Sequence, residues 1–242
     1  RLNTVGSAFA GMRIVLDCAN GAMSSAAPAL FASTDADVVV MNAEPNGRNI
    51  NDKCGATSTA GLVARVIAEG ADIGIAFDGD GDRLMAVTGS GVVVDGDYIM
   101  AIAAADLAQR GLLRNKGVAV TVMTNLGFHR AMSQLGVDVV VTPVGDRSVL
   151  AALEEYDFVL GGEQSGHIIH RALATTGDGL LAALVLIESL ARSHVSLDQA
   201  ITVMQSYPQM LINVRTTERV LDPVSDIADA IHAIEESLGS DG

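Results

Sequence analysis

Tryptophan is absent from the 242 residues, and aromatic residues make up only 3% of them. Cationic residues are also scarce, with 15 lysines and arginines against 29 aspartates and glutamates and a formal net charge of −14. Nucleic-acid binding depends on clustered cations and, for single strands, on aromatic side chains that stack on bases. The composition therefore argues against a nucleic-acid partner, and any anionic ligand must be met by local positive charge or a metal ion.

Cysteine is almost as rare, since Cys18 and Cys54 stand alone without a CxxC motif. We interpret them as buried thiols of a reducing compartment and expect a cytoplasmic protein. The longest apolar run, residues 179–187, is too short to cross a bilayer, so we expect no membrane partner. Because the sequence begins without methionine or a signal peptide, we expect it to be a piece of a longer protein.

Hydrophobic residues, in contrast, make up 49% of the chain, which is enough to build globular cores. Strand-like and helix-like segments alternate, and the order repeats: residues 13–17 and 37–41 have counterparts at 118–122 and 138–141. In each half, a short segment rich in Asp and Gly precedes an apolar run that is predicted to be a helix. We predict Asp97 and Asp178 to cap these two helices. Alternation of this kind predicts α/β units with helices on the faces of each sheet.

We accordingly predict two tandem repeated α/β domains with mixed, mainly parallel sheets flanked by helices. Their predicted boundaries are residues 1–113 and 114–209, and residues 210–242 are predicted to begin a third domain. In that last segment we expect a strand over residues 210–214 and one helix capped at Asp222.

Smaller features are predicted as well. Pro28 is expected in the first turn of a short helix, and residues 158–160 are expected to form a strand.

Three carboxylates follow the apolar run at residues 73–77. Asp78, Asp80 and Asp82 alternate with glycines, and Arg83 comes directly after them. Carboxylates are hard oxygen ligands, and three of them on so short a segment repel one another unless a divalent cation such as Mg²⁺ lies among them. We call residues 78–83 the acidic loop and predict a cation site there, with a solvated acidic turn as the alternative.

The same spacing of aspartates also occurs at the start of the calcium-binding loop of an EF-hand. That loop requires glycine at its sixth position and glutamate at its twelfth, which here are Arg83 and Gly89. The EF-hand interpretation therefore fails.

A second polar loop occupies the matching place in the second half. Residues 163–167, Glu-Gln-Ser-Gly-His, follow the predicted strand at 158–160, and we call them the EQS loop. Ligands of mainly parallel sheets bind beyond the carboxyl ends of the strands, where both loops are predicted to lie.

The acidic loop followed by the EQS loop resembles the metal loop and the sugar loop of the α-D-phosphohexomutases, and the ordered pair is far more specific than either alone. Residues 44–51, 144–147 and 161–168 are most similar to the branch that interconverts the 6- and 1-phosphates of glucosamine. The resemblance covers essentially the whole chain. It corresponds to the second domain, the third domain and the start of the fourth domain of that four-domain family.

The resemblance implies an isomerase that uses Mg²⁺, held by Asp78, Asp80 and Asp82, and a phosphorylated amino-hexose as substrate. In this family a phosphoserine of the first domain donates the phosphoryl group, and the reaction passes through a bisphosphate intermediate. The chain matches no part of that first domain, so we expect it to be inactive by itself.

Individual roles follow from the same resemblance. Arg83 is expected to bind phosphoryl oxygens, with an ordinary salt bridge as the alternative. Glu163 and Ser165 are expected to hydrogen-bond the hexose hydroxyls. His167 is expected either to move a hydroxyl proton or to orient its neighbours, and Arg147 is expected to contact phosphate.

Two other functions are compatible with the sequence. A phosphomannomutase or phosphoglucomutase would share both loops, and the chain alone could be a non-catalytic, Mg²⁺-dependent module that binds sugar phosphates. A homo-oligomer is left open.

Overall fold

A computed structural model of the chain describes residues 8–210, 212, 215 and 223–239. The chain divides into two compact units, residues 1–206 and 207–242. Both sheets belong to the first unit, and the two units are described separately.

The first sheet has five strands in the spatial order β2-β1-β3-β4-β5. β1 lies between β2 and β3 and is parallel to both, whereas β4 and β5 extend the sheet antiparallel. β3 is buried at every residue, as is typical of a strand covered on both faces. The strands are β1 Arg13–Asp17, β2 Asp37–Met41, β3 Ile73–Phe77, β4 Leu84–Thr88 and β5 Val93–Val94.

The second sheet repeats this order without the fifth strand, as β7-β6-β8-β9. β6 is parallel to β7 and β8, and β9 returns antiparallel to β8. Its strands are β6 Gly117–Thr121, β7 Asp138–Thr142, β8 Leu160–Gly162 and β9 Ile168–His170. The repeated topology confirms the predicted fold class, in which two α/β repeats each contain a mixed sheet.

Helices cover both sheets. Those of the first unit are α1 Met23–Phe31, α2 Ala60–Glu69, α3 Gly96–Gln109, α4 Leu126–Leu135, α5 Asp146–Glu155, α6 Gly179–Ser193 and α7 Leu197–Ala200. No single described helix is both long and apolar enough to cross a membrane; α6 and the segment Leu197–Val203 meet that test only as a pair bent by 87°.

The helices α3 and α6 join the two repeats. α3 follows the first sheet in sequence but packs against β8, α4 and α6, and α6 packs against β3 and β4 as well as β9. One hydrophobic core therefore includes side chains of both sheets, such as Ile75 and Leu160, with Met100 of α3 in the same cluster. The predicted division between residues 113 and 114 stays a prediction.

Two local predictions were wrong. Pro28 is the sixth residue of α1, which continues past it because the N–H of Ala32 donates to the Pro28 carbonyl oxygen at 2.9 Å. The strand predicted at residues 158–160 begins only at Leu160. The N–H of Phe158 donates to the carbonyl of Leu153, so Phe158 closes α5 instead of pairing in the sheet.

The second unit is described in part. Its described helices are α8 Pro223–Asp226 and α9 Ala228–Leu238, where the sequence predicted one helix; Ile227 separates them. The strand predicted over residues 210–214 falls largely outside the described residues, and so does the cap predicted at Asp222.

Candidate active site

The acidic loop is a tight turn at the carboxyl end of β3. Asp78 is buried, and its Oδ1 accepts hydrogen bonds from the backbone N–H groups of Gly81 at 3.0 Å and Arg83 at 3.2 Å. Gly81 has a φ of +78°, which glycine adopts without strain. One carboxylate thus holds the shape of the loop from within.

The loop brings Asp78 and Asp82 close to one cation. Arg83 Nε lies 3.8 Å from Asp78 Oδ2 and 4.0 Å from Asp82 Oδ1, too far for hydrogen bonds. Burial, followed by the negative charge of Asp82, raises the pKa of Asp78. Asp80 is exposed, and no described contact ties it to the other two.

Within residues 8–210, 212, 215 and 223–239, no three His, Cys, Asp or Glu side chains lie close enough together to hold a metal ion. The metal set Asp78, Asp80 and Asp82 therefore stays a prediction. Of the predicted members, Asp78 and Asp82 both lie within 4.0 Å of Arg83 Nε, whereas Asp80 is exposed.

The EQS loop is organised by Glu163. Its Oε1 accepts from the backbone N–H of Gly145 at 2.8 Å, and its Oε2 accepts from the Ser165 hydroxyl at 3.1 Å. Glu163 and Ser165 are therefore in direct contact, and their predicted role in binding hexose hydroxyls stays a prediction. Arg147 lies two residues beyond Gly145, in the first turn of α5, and its side chain is exposed.

A cavity of about 350 Å³ opens beside these residues. It draws on both sheets, since Met85 belongs to β4, Thr121 to β6 and Glu163 to the EQS loop. The full lining is Met85, Asp95, Thr121, Met123, Val144, Glu163, Gln164 and Ser165. An apolar wall with a few converging polar groups is the usual form of a small-molecule site.

The two loops touch through His167. Arg83 and His167 form an antiparallel β-bridge, and the N–H of Leu84 donates to the Gly166 carbonyl at 3.0 Å. The buried imidazole places Nδ1 3.1 Å from Asp82 Oδ2, while its Nε2 accepts from the N–H of Gly177 at 3.2 Å. A backbone N–H can only donate, so we assign the ring proton to Nδ1, which donates to Asp82. Both ring nitrogens are engaged.

Glycine makes this contact sterically possible. A Cβ on Gly166 would lie 2.2 Å from the carbonyl oxygen of Leu84, and its φ is +91°. A Cβ on Gly96, at the start of α3, would lie 2.1 Å from the carbonyl oxygen of Glu163. The sequence alone does not show that these glycines allow backbone segments to meet.

Of the two predicted helix N-caps, the one at Asp97 is wrong and the one at Asp178 is confirmed. Asp95, not Asp97, caps α3, because its Oδ1 accepts from the N–H groups of Asp97 at 3.1 Å and Tyr98 at 3.2 Å. Asp178 caps α6 as predicted and accepts from the N–H of Leu181 at 2.9 Å.

Asp97 itself is a buried residue that the sequence analysis misassigned. Its Oδ2 accepts from the N–H of Asn125 at 2.8 Å, which joins α3 to the start of α4. Its Oδ1 is buried beside the Thr124 hydroxyl without a well-formed hydrogen bond. Burial raises the pKa of Asp97 to about 7. No sequence pattern distinguishes such a residue from an exposed cap.

Two sequence models of one family match the chain. The phosphoglucomutase/phosphomannomutase α/β/α domain II matches residues 2–91, and domain III of the same family matches residues 95–207. The chain therefore belongs to the phosphoglucomutase/phosphomannomutase family.

Within that family, the chain is similar to phosphoglucosamine mutases. It is 47% identical to that of Brevibacillus brevis over 241 residues, covering 99% of this chain and 54% of the relative. It is 46% identical to that of Bacillus subtilis over 235 residues, covering 97% of this chain and 52% of the relative. The chain thus spans about half the length of the curated relatives it matches.

A solved structure has the same fold. Aspergillus fumigatus N-acetylphosphoglucosamine mutase, in complex with GlcNAc-6P and magnesium, superposes with a TM-score of 0.71 at 20% identity. The match covers 89% of this chain and 51% of that one.

Proposed function

We propose that this chain supplies the second and third domains of a phosphoglucosamine mutase, and that the longer protein interconverts glucosamine 6-phosphate and glucosamine 1-phosphate. The domain boundaries at residues 113, 209 and 242 are part of this proposal. The observation that carries it is the direct junction of the two loops, in which Asp82 accepts from His167 and Arg83 pairs with His167. The similarity to phosphoglucosamine mutases supports the choice of substrate.

The acidic loop is proposed to hold Mg²⁺ through Asp78, Asp80 and Asp82. The donor set fits in its chemistry, because all three side chains offer hard carboxylate oxygens and those of Asp78 and Asp82 already lie near one another beside Arg83. The magnesium in the Aspergillus fumigatus complex supports the same assignment. When bound, Mg²⁺ would draw negative charge from the phosphoryl group.

The remaining residues are proposed to bind and orient. Glu163 uses one lone-pair site of each oxygen in its contacts with Gly145 and Ser165, so further sites remain to accept from sugar hydroxyls. Arg83 and Arg147 are proposed to donate to phosphate oxygens. Holding the sugar in line with the phosphoryl group lowers the entropic part of the barrier.

His167 is proposed to orient the site and not to exchange protons with the sugar. Its Nδ1–H holds Asp82, and its Nε2 is occupied by the N–H of Gly177, so neither nitrogen is directed at a substrate hydroxyl. Carboxylates that bind a metal ion are usually oriented by a hydrogen bond from a neighbouring group. We also propose a cytoplasmic location, in keeping with two buried free cysteines and bacterial relatives.

The substrate is tested by product analysis on the longer protein. Conversion of glucosamine, mannose and glucose 6-phosphates is followed separately, and we expect the highest kcat/KM for the glucosamine ester. Preference for mannose or glucose phosphate would reassign the protein to a phosphomannomutase or phosphoglucomutase. Turnover by the 242-residue chain alone would overturn the domain assignment, and inactivity of the longer protein with every ester would favour a binding module.

The hydroxyl-binding role has its own control. Glu163→Gln should raise KM for glucosamine 6-phosphate about tenfold, from the loss of one charge-assisted hydrogen bond. Glu155→Gln, on the exposed surface of α5, should leave KM unchanged. Equal effects of the two substitutions would remove Glu163 from the binding site.

A further inference from the structure

A second and larger cavity lies apart from the candidate active site. Its volume is about 600 Å³, and none of its lining residues lines the cavity beside the EQS loop. It is formed by the end of α3 and the turn after it, by β9, and by the second half of α6. Its size is that of a small-molecule site.

The arginines of this cavity are remote from the acidic loop. α6 begins at Gly179, whose N–H donates to the Gly81 carbonyl at 3.0 Å, and Arg192 lies in its last turn. The helix has 15 residues, which corresponds to about 22 Å at 1.5 Å per residue. The two sites are thus at opposite ends of the same helix.

Three arginine side chains meet at the cavity, and each of them is also paired with a carboxylate. In a chain of net charge −14, Arg110, Arg114 and Arg192 line it together with a single carboxylate, Glu188. Arg192 donates through Nε and Nη2 to the carboxylate of Asp106 and through Nη1 to Glu188.

The other two arginines have donors to spare. Arg110 donates through Nη1 to Asp106 at 3.0 Å, and Arg114 donates through Nη1 to Asp157 at 2.9 Å. No other described hydrogen bond uses their remaining N–H groups. A guanidinium carries five such donors in a planar fork that matches an oxyanion.

A buried histidine contributes a second, independent observation. His170 lines the cavity, is only 5% exposed, and its Nε2 is buried without a hydrogen-bond partner among the described residues. Burial lowers the pKa of His170 to about 4, so the ring is neutral near pH 7 and able to donate or accept. Leaving a buried polar atom unpaired costs about 1–3 kcal/mol.

The rest of the lining selects the body of the ligand. Leu112 and Leu173 are half or more exposed at the cavity, and Val159 and Val185 complete an apolar wall. The only ring in the lining is that of His170, so no aromatic platform is present on which a nucleobase could stack.

We propose that this cavity binds a small organic oxyanion, a phosphate or carboxylate on a compact apolar body, with Arg110 and Arg114 holding the oxyanion and His170 completing the contact. The proposal is independent of the mutase assignment, because no residue of the acidic loop or the EQS loop takes part.

Calorimetric titration of the 242-residue chain with monobutyl phosphate and with hexanoate tests the proposal and distinguishes the two oxyanions. We expect saturable binding of at least one, and no binding of butanol. The double substitution Arg110→Gln and Arg114→Gln should weaken binding about tenfold or more. Arg65→Gln is the matched control, since Arg65 is a half-exposed residue of α2 that is paired with Glu69. This variant should bind the probes as tightly as the unmodified chain does.

Histidine-labelled NMR keeps the test decisive if the double variant fails to fold. The ring resonances of His170, assigned with His170→Asn, should shift on saturation with the bound oxyanion. Stationary His170 resonances, equal affinity in the double variant, or absence of saturable binding by both probes would each overturn the proposal.

Discussion

Asp97 gives a sharp prediction about stability and pH. The residue is fully buried at the start of α3, and its carboxylate accepts from Asn125 while Oδ1 has no well-formed partner. Burial favours the neutral acid and raises the pKa of Asp97 from 3.8 to about 7. We expect Asp97→Asn, which keeps the shape of the neutral acid and cannot ionise, to stabilise the fold above neutrality.

The sign and size follow from proton linkage. Between pH 3.8 and about 7, the folded chain binds more protons at Asp97 than the unfolded chain, so stability falls as pH rises through that window. A pKa shift of about 3 corresponds to about 4 kcal/mol of unfolding free energy, which the neutral carboxyl contributes at low pH and which is fully lost at pH 8. At pH 5 less than half of this stabilisation is lost.

Urea unfolding of the unmodified chain and of Asp97→Asn at pH 5 and pH 8 measures this difference directly. The advantage of the asparagine variant should grow by roughly 2–3 kcal/mol between the two pH values. Asp35→Asn, at an exposed position, controls for the general effect of removing one negative charge. An equal advantage at both pH values, or a loss of stability at pH 8, would refute the assignment.

Three further predictions concern the loops. Gly166→Ala should lower the melting temperature far more than Gly136→Ala. Both glycines have a positive φ, but only a Cβ at position 166 would collide with backbone atoms, those of Leu84. Equal losses in the two variants would contradict the close approach of Gly166 to Leu84. His167→Ala removes both ring contacts and should cost about 2 kcal/mol of unfolding free energy and at least tenfold in kcat of the longer protein; a variant that keeps wild-type kcat would exclude an orienting role. Asp82→Asn should weaken Mg²⁺ binding, measured by calorimetry, about tenfold or more, and EDTA should reverse the binding. Asp35→Asn should have no effect on Mg²⁺ affinity, and equal losses in both variants would argue against the metal set.

Much of the fold was predictable because apolar runs signal buried strands directly. Residues 13–17, 37–41 and 73–77 formed strands with the predicted bounds, and the repeat of their order predicted the second sheet. The misplaced strand at residues 158–160 shows the limit. A short apolar run is also found at the end of a helix, and only the hydrogen bond from Phe158 to α5 distinguishes the two cases.

The site was predictable where spacing alone brings residues together. Glu163 and Ser165, two positions apart, hydrogen-bond each other, and Asp78 and Asp82 share Arg83. The contact between Asp82 and His167 spans 85 positions and carries no local signal.

The crossed packing of α3 and α6 has a mechanical consequence. α3 leaves the first sheet but its N–H at Gly96 donates to Gln164 of the EQS loop, whereas α6 leaves the second sheet and its N–H at Gly179 donates to Gly81 of the acidic loop. Each loop is therefore tied by a main-chain hydrogen bond to the start of a helix that follows the other sheet, and such bonds do not depend on which side chains the loop carries. Truncation of a single side chain in either loop is therefore expected to leave the two loops in contact.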